Sequence, residues 1–484
     1  MRAVDILPEA ADALRGANAF IVDLLTPTVR LGVTGLARSG KTVFITALVR
    51  NLTGGGRLPF LAADAQGRLL RAYLEPQPDD TIPRFDYESH LACLTGAVPV
   101  WPDSTRRISQ LRLTIEYEPR SALRRWLGPS LVHVDIVDYP GEWLLDLALI
   151  DQSYEPWAAQ ALALARSSRR AEAAGPFLAF LAGIDPAGAA DEQAAIAGAK
   201  LYTAYLAADR ASDEAQATLG PGRFLMPGEY EGSPLLTFFP MDQPRDETRG
   251  ATLHALMARR FESYKSNVVQ PFFLGHFSKL DRQIVLIDVL GAINRGGGAV
   301  ADLERALASV MTAFRPGAGS WLSFLTGARI DRLLFAATKA DHLHHGSHDR
   351  LEAILKLATQ RAALRASTAG ADVEVLAISA VRATREAEMK ERGETFPVIL
   401  GVPLPGEMLD GRVFDGKTEV GVFPGDLPRD PAGAFSTGAV RAGEHAFVRF
   451  RPPRLTTQPG TTGPVLPHIR LDKAIEFLIG DKLT

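Results

Sequence analysis

The chain has 484 residues, enough for two or three domains, and its 46% hydrophobic and 23% charged residues are values of an ordinary folded protein. Its 53 Lys and Arg balance 56 Asp and Glu to a net charge of −3, so there is no overall basic footprint and no nucleic-acid partner is expected. Cys93 is the single cysteine and can form no internal disulfide, which favours a reducing, cytoplasmic location.

The N-terminal residues 1–28 place apolar side chains at helical spacing, and we expect a helix packed on the core that follows. The alternative is an anchor lying on a membrane surface. Charged residues interrupt this stretch and no small-residue cleavage site follows, so a secretory signal is not expected. Nowhere do 18 uncharged apolar residues run together, which predicts no transmembrane span and leaves peripheral contact at the inner face of the membrane open.

From residue 29 onward, six strand-like segments alternate with helical ones, which predicts an α/β fold with a mostly parallel six-stranded sheet covered on both faces. The predicted strands lie at 29–35, 106–118, 130–141, 282–291, 329–341 and 372–380, and the clearest core helices at 42–52, 299–311 and 471–479. We expect the core in two parts, at 29–141 and 283–383, with a C-terminal core helix at 468–484. The first part contains a loop-rich region at 53–105 around a short helix at 66–75. Two insertions interrupt the core, a mostly helical one at 142–282 and a Gly- and Pro-rich one of short β-hairpins at 384–467.

The segment Gly35-Leu-Ala-Arg-Ser-Gly40-Lys41-Thr42 matches the phosphate-binding pattern G-x-x-x-x-G-K-[ST] and stands between a strand and a helix. Glycines allow successive backbone N–H groups to point at phosphate oxygens, and the helix adds its positive N-terminal end. Lys41 would reach the terminal phosphates, and the Thr42 hydroxyl would ligate Mg²⁺. The residues expected around the phosphates are Gly35, Arg38, Ser39, Gly40, Lys41, Thr42 and Val43.

Three later motifs follow strands in chain order. Asp138-Tyr-Pro-Gly141 would hold Mg²⁺ through water and contact a terminal phosphate, whereas a second D-x-x-G at 288–291 is interpreted only as the end of a sheet strand. Thr338-Lys339-Ala340-Asp341 would recognise guanine, since a carboxylate can accept from its N1–H and N2 amino groups and adenine offers no such pair. Ser379-Ala380 would donate a backbone N–H to the guanine O6. The residues expected at the base are Lys339, Asp341, His342, Ser379, Ala380 and Val381.

The order of these motifs resembles that of the Ras-like P-loop GTPases. More narrowly, "TGLARSGKTVFITALV", "WPDSTR", "DYPGEWLLDL", "RQIVLIDVL" and "ATKADHLHH" resemble the YcjX family of bacterial stress-associated GTPases over essentially the full length. The resemblance implies a Ras-like core with large insertions, Mg²⁺-dependent binding of GTP and its hydrolysis to GDP, and a role in bacterial stress or the cell envelope. It also makes Trp101, Ser104, Thr105 and Arg106 the first switch, with Thr105 as a second Mg²⁺ ligand; the alternative is a proline turn with a surface aromatic.

This chain departs from the Ras-like pattern at two positions, Glu142 and Thr338, and carries an arginine, Arg38, inside the loop. Glu142 stands where glutamine commonly follows the D-x-x-G glycine, and a carboxylate beside a triphosphate is unfavourable unless it is paired, so slow intrinsic turnover is expected. Arg38 could neutralise transition-state charge, or it could face solvent. Thr338 replaces the commoner asparagine. The expected catalytic residues are Lys41, Arg38, Gly141 and Glu142, and the expected metal ligands Thr42, Thr105 and Asp138.

Four histidines follow Asp341 closely, at positions 342, 344, 345 and 348. They invite a metal interpretation, although a solvated loop whose first histidine touches the base accounts for them without one. The function indicated by the sequence is a cytoplasmic GTPase switch with a protein partner bound through the insertions. The alternatives are an ATPase or small-molecule kinase, and an interaction scaffold whose nucleotide is structural.

Overall fold

A computed structural model describes residues 26–35, 39–103, 107–126, 128–168, 170–211, 220–244, 251–310, 330–391, 394–409, 411–435, 447–455, 461 and 463–484. The predicted N-terminal helix falls almost wholly on residues 1–25 and lies outside them. No helix in the described part of the chain is both long and apolar enough to cross a bilayer.

A mostly parallel sheet of seven strands forms the core, in the order β2-β3-β4-β1-β5-β6-β7. The strands are β1 Thr28–Gly35, β2 Leu69–Glu75, β3 Ser109–Tyr117, β4 Ser130–Asp138, β5 Arg282–Ile287, β6 Arg332–Ala337 and β7 Asp372–Ala377. Strand β1 pairs in parallel with β4 and β5, and β6 and β7 continue in the same direction, whereas β3 and β2 run antiparallel at the other edge. The predicted α/β fold is confirmed, with all six predicted strands present.

The seventh strand corrects one expectation. Residues 66–75 were predicted as a short helix, but residues 69–75 form β2, which pairs antiparallel with β3. The segment is short and only partly buried, so its local pattern is weak and the exposed hydrogen-bonding edge of β3 decides its conformation. The prediction for 66–75 was therefore wrong.

The described helices are α1 Lys41–Thr53, α2 Ala62–Ala65, α3 Tyr87–Thr95, α4 Ala122–Trp126, α5 Trp143–Leu147, α6 Tyr154–Ala165, α7 Ala171–Ala182, α8 Glu192–Ala211, α9 Gly222–Leu225, α10 Leu253–Tyr264, α11 Gln270–Gly275, α12 Val289–Asn294, α13 Gly297–Val310, α14 His348–Thr368 and α15 Leu471–Ile479. Helices α1 and α15 cover one face of the sheet, and α13 and α14 cover the other. Successive residues of β5 alternate between the two cores, as a strand buried on both faces requires.

The helices between β4 and β5 share one continuous hydrophobic core with the second face of the sheet. Aromatic side chains fill its centre, where the rings of Trp157 and Phe261 stack with centroids 4.9 Å apart. Between β7 and α15, the chain forms strands β8 Arg385–Glu391, β9 Glu394–Gly401, β10 Met408–Leu409, β11 Arg412–Val413 and β12 Val420–Val422. Strands β8, β9 and β12 form an antiparallel sheet with a small apolar cluster of its own that includes Phe414 and Phe450.

A buried ion network joins the helical insertion to the core. The Arg170 guanidinium donates to Asp209 of α8 at 2.8 Å and to Asp302 of α13 at 3.0 Å, and all three side chains are almost completely buried. Removing one member of such a network leaves a charge without its partner in a medium that solvates it poorly. The network therefore holds the end of α8 against the core.

We expect Arg170→Met to lower the free energy of unfolding by about 3–5 kcal/mol, because Asp209 would remain buried without this partner. Urea unfolding measures the change. Arg166→Met is the matched control, since Arg166 pairs with Asp242 at an exposed site and its loss should cost about 1 kcal/mol or less. Equal losses in the two variants would contradict the structural role of the network.

Candidate nucleotide-binding cleft

Ser39 and Gly40 lead directly into the N-terminus of α1, which begins at Lys41. A Cβ added to Gly35 would lie 2.1 Å from the Ser39 hydroxyl oxygen, so only glycine permits this close approach. Gly40 has a φ of +81°, a left-handed conformation that glycine adopts without strain, and it precedes Lys41 at the start of α1. The first backbone N–H groups of α1 lack helical acceptors, and this end of the helix suits an anion.

Lys41 crosses from the loop to the end of β4. Its ammonium lies 2.7 Å from a carboxylate oxygen of Asp138 and donates to the Tyr139 carbonyl at 2.8 Å. Asp138 is only 1% exposed, and neither carboxylate oxygen accepts a well-aligned hydrogen bond from another described group. A buried carboxylate with spare acceptor capacity beside a lysine is suited to a further cation or its bound water.

Thr42 is the second oxygen donor at this end of the cleft. Its hydroxyl is mostly buried and donates to the Asp103 carbonyl over 3.4 Å, a long hydrogen bond that a stronger ligand could replace. Hard oxygen donors such as this hydroxyl and the Asp138 carboxylate are those that Mg²⁺ prefers. The predicted ligands Thr42 and Asp138 therefore fit the ion; Thr105 lies outside the described residues.

The other end of the cleft is built where β5, β6 and β7 end. Lys339 has a φ of +63°, which is uncommon for a side chain other than glycine, and its ammonium lies 2.5 Å from Asp288. Burial disfavours the charged form of Asp288, but Lys339, the Gly291 N–H and the charge of Arg295 together outweigh it and hold the pKa of that carboxyl below its ordinary value. Asp288 also accepts from the Gly291 N–H at 2.9 Å and so caps α12.

Asp341 lies next to Lys339 and is almost fully buried. One carboxylate oxygen accepts from the Ala383 N–H at 2.8 Å, which orients the group. Ser379 is turned toward its own loop, where its hydroxyl donates to the Val381 carbonyl at 3.0 Å. The sheet thus brings the motifs around Asp341 and Ser379 to one place, because the carboxyl ends of neighbouring parallel strands share an edge.

The β-rich insertion closes over this end of the cleft. The Phe450 ring meets His342 edge-on with centroids 5.3 Å apart, and the Phe450 carbonyl accepts from the Trp101 indole N–H at 2.6 Å. Burial lowers the pKa of His342 and favours its neutral ring. Trp101 is therefore half-buried at the cleft and held by the insertion, instead of lying free on the surface as the alternative interpretation required.

Many of these groups line one cleft of about 460 Å³, whereas Asp138 and Asp288 are not among its lining residues and lie behind Lys41 and Lys339. Of the residues predicted from sequence, it is lined by Gly35, Ser39, Gly40, Lys41, Thr42, Val43, Trp101, Gly141, Glu142, Lys339, Asp341, His342, Ser379, Ala380 and Val381. The predicted residues Arg38, Ser104, Thr105 and Arg106 lie outside the described residues. Lining residues that the sequence analysis missed include Asp103, Arg210, Met226, Leu404, Arg449 and Phe450.

Glu142 is paired, which the sequence alone could not show. Its carboxylate is 2.7 Å from the guanidinium of Arg210, at the end of α8 in the helical insertion. The two positions are 68 residues apart, and Arg210 carries no local motif; only the packing of α8 against the core brings it to the cleft. For Asp288 the sequence does carry a signal, the D-x-x-G spacing at a strand end. That spacing does not predict the ion pair with Lys339 that the structure shows.

The chain after Glu142 is enclosed by the same insertion. In α5, residues 143–147 are all buried, and a Cβ added to Gly222 would lie 2.0 Å from the Glu142 carbonyl oxygen. Asp146 accepts from the backbone N–H of Gly222 at 2.6 Å and of Arg223 at 3.1 Å, and from the Tyr264 hydroxyl at 2.8 Å. Helix α5, which follows Glu142 at the Lys41 end of the cleft, is thus hydrogen-bonded directly to the rest of the helical insertion.

Comparison with known proteins agrees with this geometry. The YcjX-like family, DUF463, matches residues 29–483. This chain belongs to the YcjX-like family. It is 38% identical over 480 residues to the Ras-like GTPase YcjX of Escherichia coli (strain K12), covering 96% of this chain and 98% of that protein. It is 36% identical over 479 residues to the Ras-like GTPase YcjX of Shewanella oneidensis MR-1, covering 94% of each.

The histidines after Asp341 have separate structural roles in this member of the family. His348 contacts the Ala340 carbonyl at 2.9 Å, and His345 lies 2.6 Å from Glu386. His344 and His345 lie close enough to Glu386 to suggest a metal site. The Nδ1 of His344 accepts from the Gly346 N–H at 3.3 Å, and its Nε2 lies 3.5 Å from a carboxylate oxygen of Glu386. Contacts within the chain therefore account for the positions of these side chains.

Asp146 predicts a measurable pH dependence of stability. Burial raises its pKa to about 6, against the opposing hydrogen bonds from Tyr264 and Gly222. An unfolded aspartate titrates near 3.9, so between about pH 4 and 6 the folded chain binds a proton that the unfolded chain has released. This group's contribution to the free energy of unfolding therefore falls as pH rises through that window, by about 3 kcal/mol.

We expect Asp146→Asn to remove this fall, so that the stability of the wild type relative to the variant decreases by about 3 kcal/mol from pH 4 to pH 6. Chemical denaturation at several pH values measures it, and the other titrating groups cancel in the comparison. Asp242→Asn changes an exposed carboxylate and serves as the control. Parallel stability profiles for wild type and Asp146→Asn would contradict the shifted pKa.

Proposed function

We propose that this protein binds GTP in the cleft between Lys41 and Asp341 and hydrolyses it to GDP and phosphate with Mg²⁺. The observation that carries the proposal is that one cleft holds Lys41 and the N-terminus of α1 at one end and an oriented, buried carboxylate at the other. The two relatives that match nearly the whole chain are named Ras-like GTPases, which supports the proposed GTP binding and hydrolysis.

In this mechanism the β- and γ-phosphates lie over the loop that precedes α1. Lys41 leaves Asp138 and donates to the phosphate oxygens, since a polyphosphate carries more charge than a single carboxylate. Thr42 and Asp138 would hold Mg²⁺, with Thr105 as a further ligand, and the ion would supply charge neutralisation for the phosphates. Asp138 would then have the ion as its counter-charge in place of Lys41.

Hydrolysis is the attack of water on the γ-phosphorus. The new P–O bond forms as the bond from phosphorus to the β–γ bridging oxygen breaks, and the water proton passes to a phosphate oxygen. Negative charge grows on the bridging oxygen, where the Lys41 ammonium and the loop N–H groups stabilise it. The Gly141 N–H would contact the γ-phosphate on the side where Glu142 lies.

At the base end, the free acceptor capacity of Asp341 would receive the N1–H and N2 amino groups of guanine. The Ala383 N–H holds the carboxylate in place, and Lys339, fixed by Asp288, would lie with its stem along the base. Adenine lacks the two donors and would leave a buried carboxylate without partners, which is costly.

We further propose that the helical insertion changes its position with the bound nucleotide, through its contacts with α5. The protein would then act as a switch in a bacterial stress or envelope response.

The decisive experiment compares phosphate release from GTP and ATP in the presence of Mg²⁺. We expect release from GTP only, and a fall of about 10²-fold or more in Lys41→Ala, because one donor to developing charge is lost. Lys200→Ala, on the exposed face of α8, should match the wild type. Equal turnover of ATP would contradict guanine selectivity, and tight GTP binding without turnover would favour the scaffold alternative.

A second test addresses base recognition. Asp341→Asn should weaken GTP binding by about 10²-fold, since two hydrogen bonds to a charged acceptor are lost, and should improve binding of xanthosine triphosphate. The gain for the xanthine nucleotide distinguishes altered recognition from simple damage to the loop. Fluorescence titration with labelled nucleotides measures both affinities. The exposed Asp349→Asn is the control, and an Asp341→Asn protein with unchanged GTP preference would place the base elsewhere.

A further inference from the structure

A second cation besides Lys41 lines the phosphate end of the cleft. Arg210 belongs to α8, so it comes from the helical insertion and not from the loop that cradles the phosphates. Its guanidinium lies 2.7 Å from Glu142, which is nearly buried, while Arg210 itself is 26% exposed. The arginine is therefore partly accessible from the cleft and bound at present to one carboxylate.

The end of α8 is firmly positioned. The residue before Arg210 is Asp209, whose buried ion pair with Arg170 is tied in turn to Asp302 of the core. Neighbouring residues of a helix point in directions about 100° apart, so Asp209 can face the core while Arg210 faces the cleft. A charge on a fixed helix needs little reorganisation to act on a ligand.

Glu142 is held from the other side. Its backbone packs on Gly222, and the Asp146 carboxylate fastens the following helix α5 to the same part of the insertion. Glu142 adjoins Gly141, whose N–H faces the γ-phosphate in the proposed complex. Arg210 therefore lies beside the position proposed for the γ-phosphate.

We propose that Arg210 is a catalytic residue that exchanges Glu142 for the γ-phosphate and stabilises the charge of the transition state. The inference rests on the proposed GTPase function and names an active-site residue that the sequence motifs do not contain. Arg38 was the arginine that the sequence suggested for this role. Arg449, the other arginine lining the described part of the cleft, is bound by Glu407 beside Phe450, at the base end.

The exchange follows from charge and shape. A guanidinium is planar, stays protonated and can donate two parallel N–H bonds to phosphate oxygens. As the bond to the β–γ bridging oxygen breaks, Arg210 donates to the oxygens that gain charge and keeps its own protons. The released Glu142 carboxylate can accept a hydrogen bond from the attacking water, whose proton ends on a γ-phosphate oxygen.

The test measures single-turnover GTP hydrolysis and, separately, affinity for GTPγS. We expect Arg210→Ala to slow hydrolysis by about 10³-fold. It should also weaken GTPγS binding, because Glu142 loses its partner beside the γ-phosphate, whereas in a Glu142→Gln background the same change should alter GTPγS affinity by less than about threefold, since the contact forms mainly in the transition state. Arg259→Ala, an exposed arginine of α10 in the same insertion, should hydrolyse GTP at the wild-type rate. An Arg210→Ala protein as fast as wild type would overturn the inference while leaving the GTPase function intact.

A double variant separates catalysis from mere neutralisation of Glu142. If Arg210 only cancels that charge, Arg210→Ala combined with Glu142→Gln hydrolyses GTP as fast as Glu142→Gln alone, which would overturn the inference. If Arg210 contacts phosphate, the double variant remains much slower than Glu142→Gln alone. A wild type that binds GTP without hydrolysing it would overturn the proposed function and this inference together.

Two further measurements keep the test decisive if Arg210→Ala is poorly folded. Arg210→Lys keeps the charge but loses the paired donors, so it should fold and still hydrolyse GTP slowly. Added guanidinium ion, at concentrations too low to unfold the protein, should partly restore hydrolysis in Arg210→Ala and leave Arg259→Ala unchanged. Wild-type hydrolysis by Arg210→Lys, or no response to guanidinium in a folded Arg210→Ala, would count against a phosphate contact.

Discussion

Strand β1 pairs with β4 on one side and β5 on the other, and the arrangement of the cleft depends on this constraint. All three strands end at the same edge of the sheet. The loop at Gly35, the carboxylate of Asp138 and the carboxylate of Asp288 therefore meet there, although they are about 100 to 250 residues apart. Each carboxylate then takes one lysine, Lys41 at the phosphate end and Lys339 at the base end.

The helical insertion is part of the candidate site. It buries α5, the segment that follows Gly141, and provides the partner of Glu142. A change at the phosphate end would reach α8 through the Glu142–Arg210 pair and α9 through Asp146. Because both contacts are charged or buried, moving either segment alone would break interactions that water cannot replace inside the protein. This coupling joins the Lys41 end of the cleft to two helices of the insertion.

Much of the fold was predictable because its signals are local. Strands β1, β4 and β5 are short apolar runs bounded by turns, and such runs identify buried strands without tertiary information. Strand β2 was missed because its residues are only partly buried and its pairing with β3 decides its shape. Within the cleft, residues carried by motifs, such as Lys41 and Asp341, were predictable. Arg210 and Phe450 were not, since each reaches the cleft by packing of an insertion.

The sequence by itself determined the α/β class, and it placed the glycine-rich pattern from Gly35 to Thr42 and the motifs around Asp138 and Asp341 at the ends of strands. These depend on residue types at fixed short spacings, which the backbone converts directly into local geometry. Only the tertiary structure decided that Glu142 is paired, that Asp288 holds Lys339, and that Asp146 carries a raised pKa. Those properties arise from burial and from charges distant in sequence, and no local pattern encodes them.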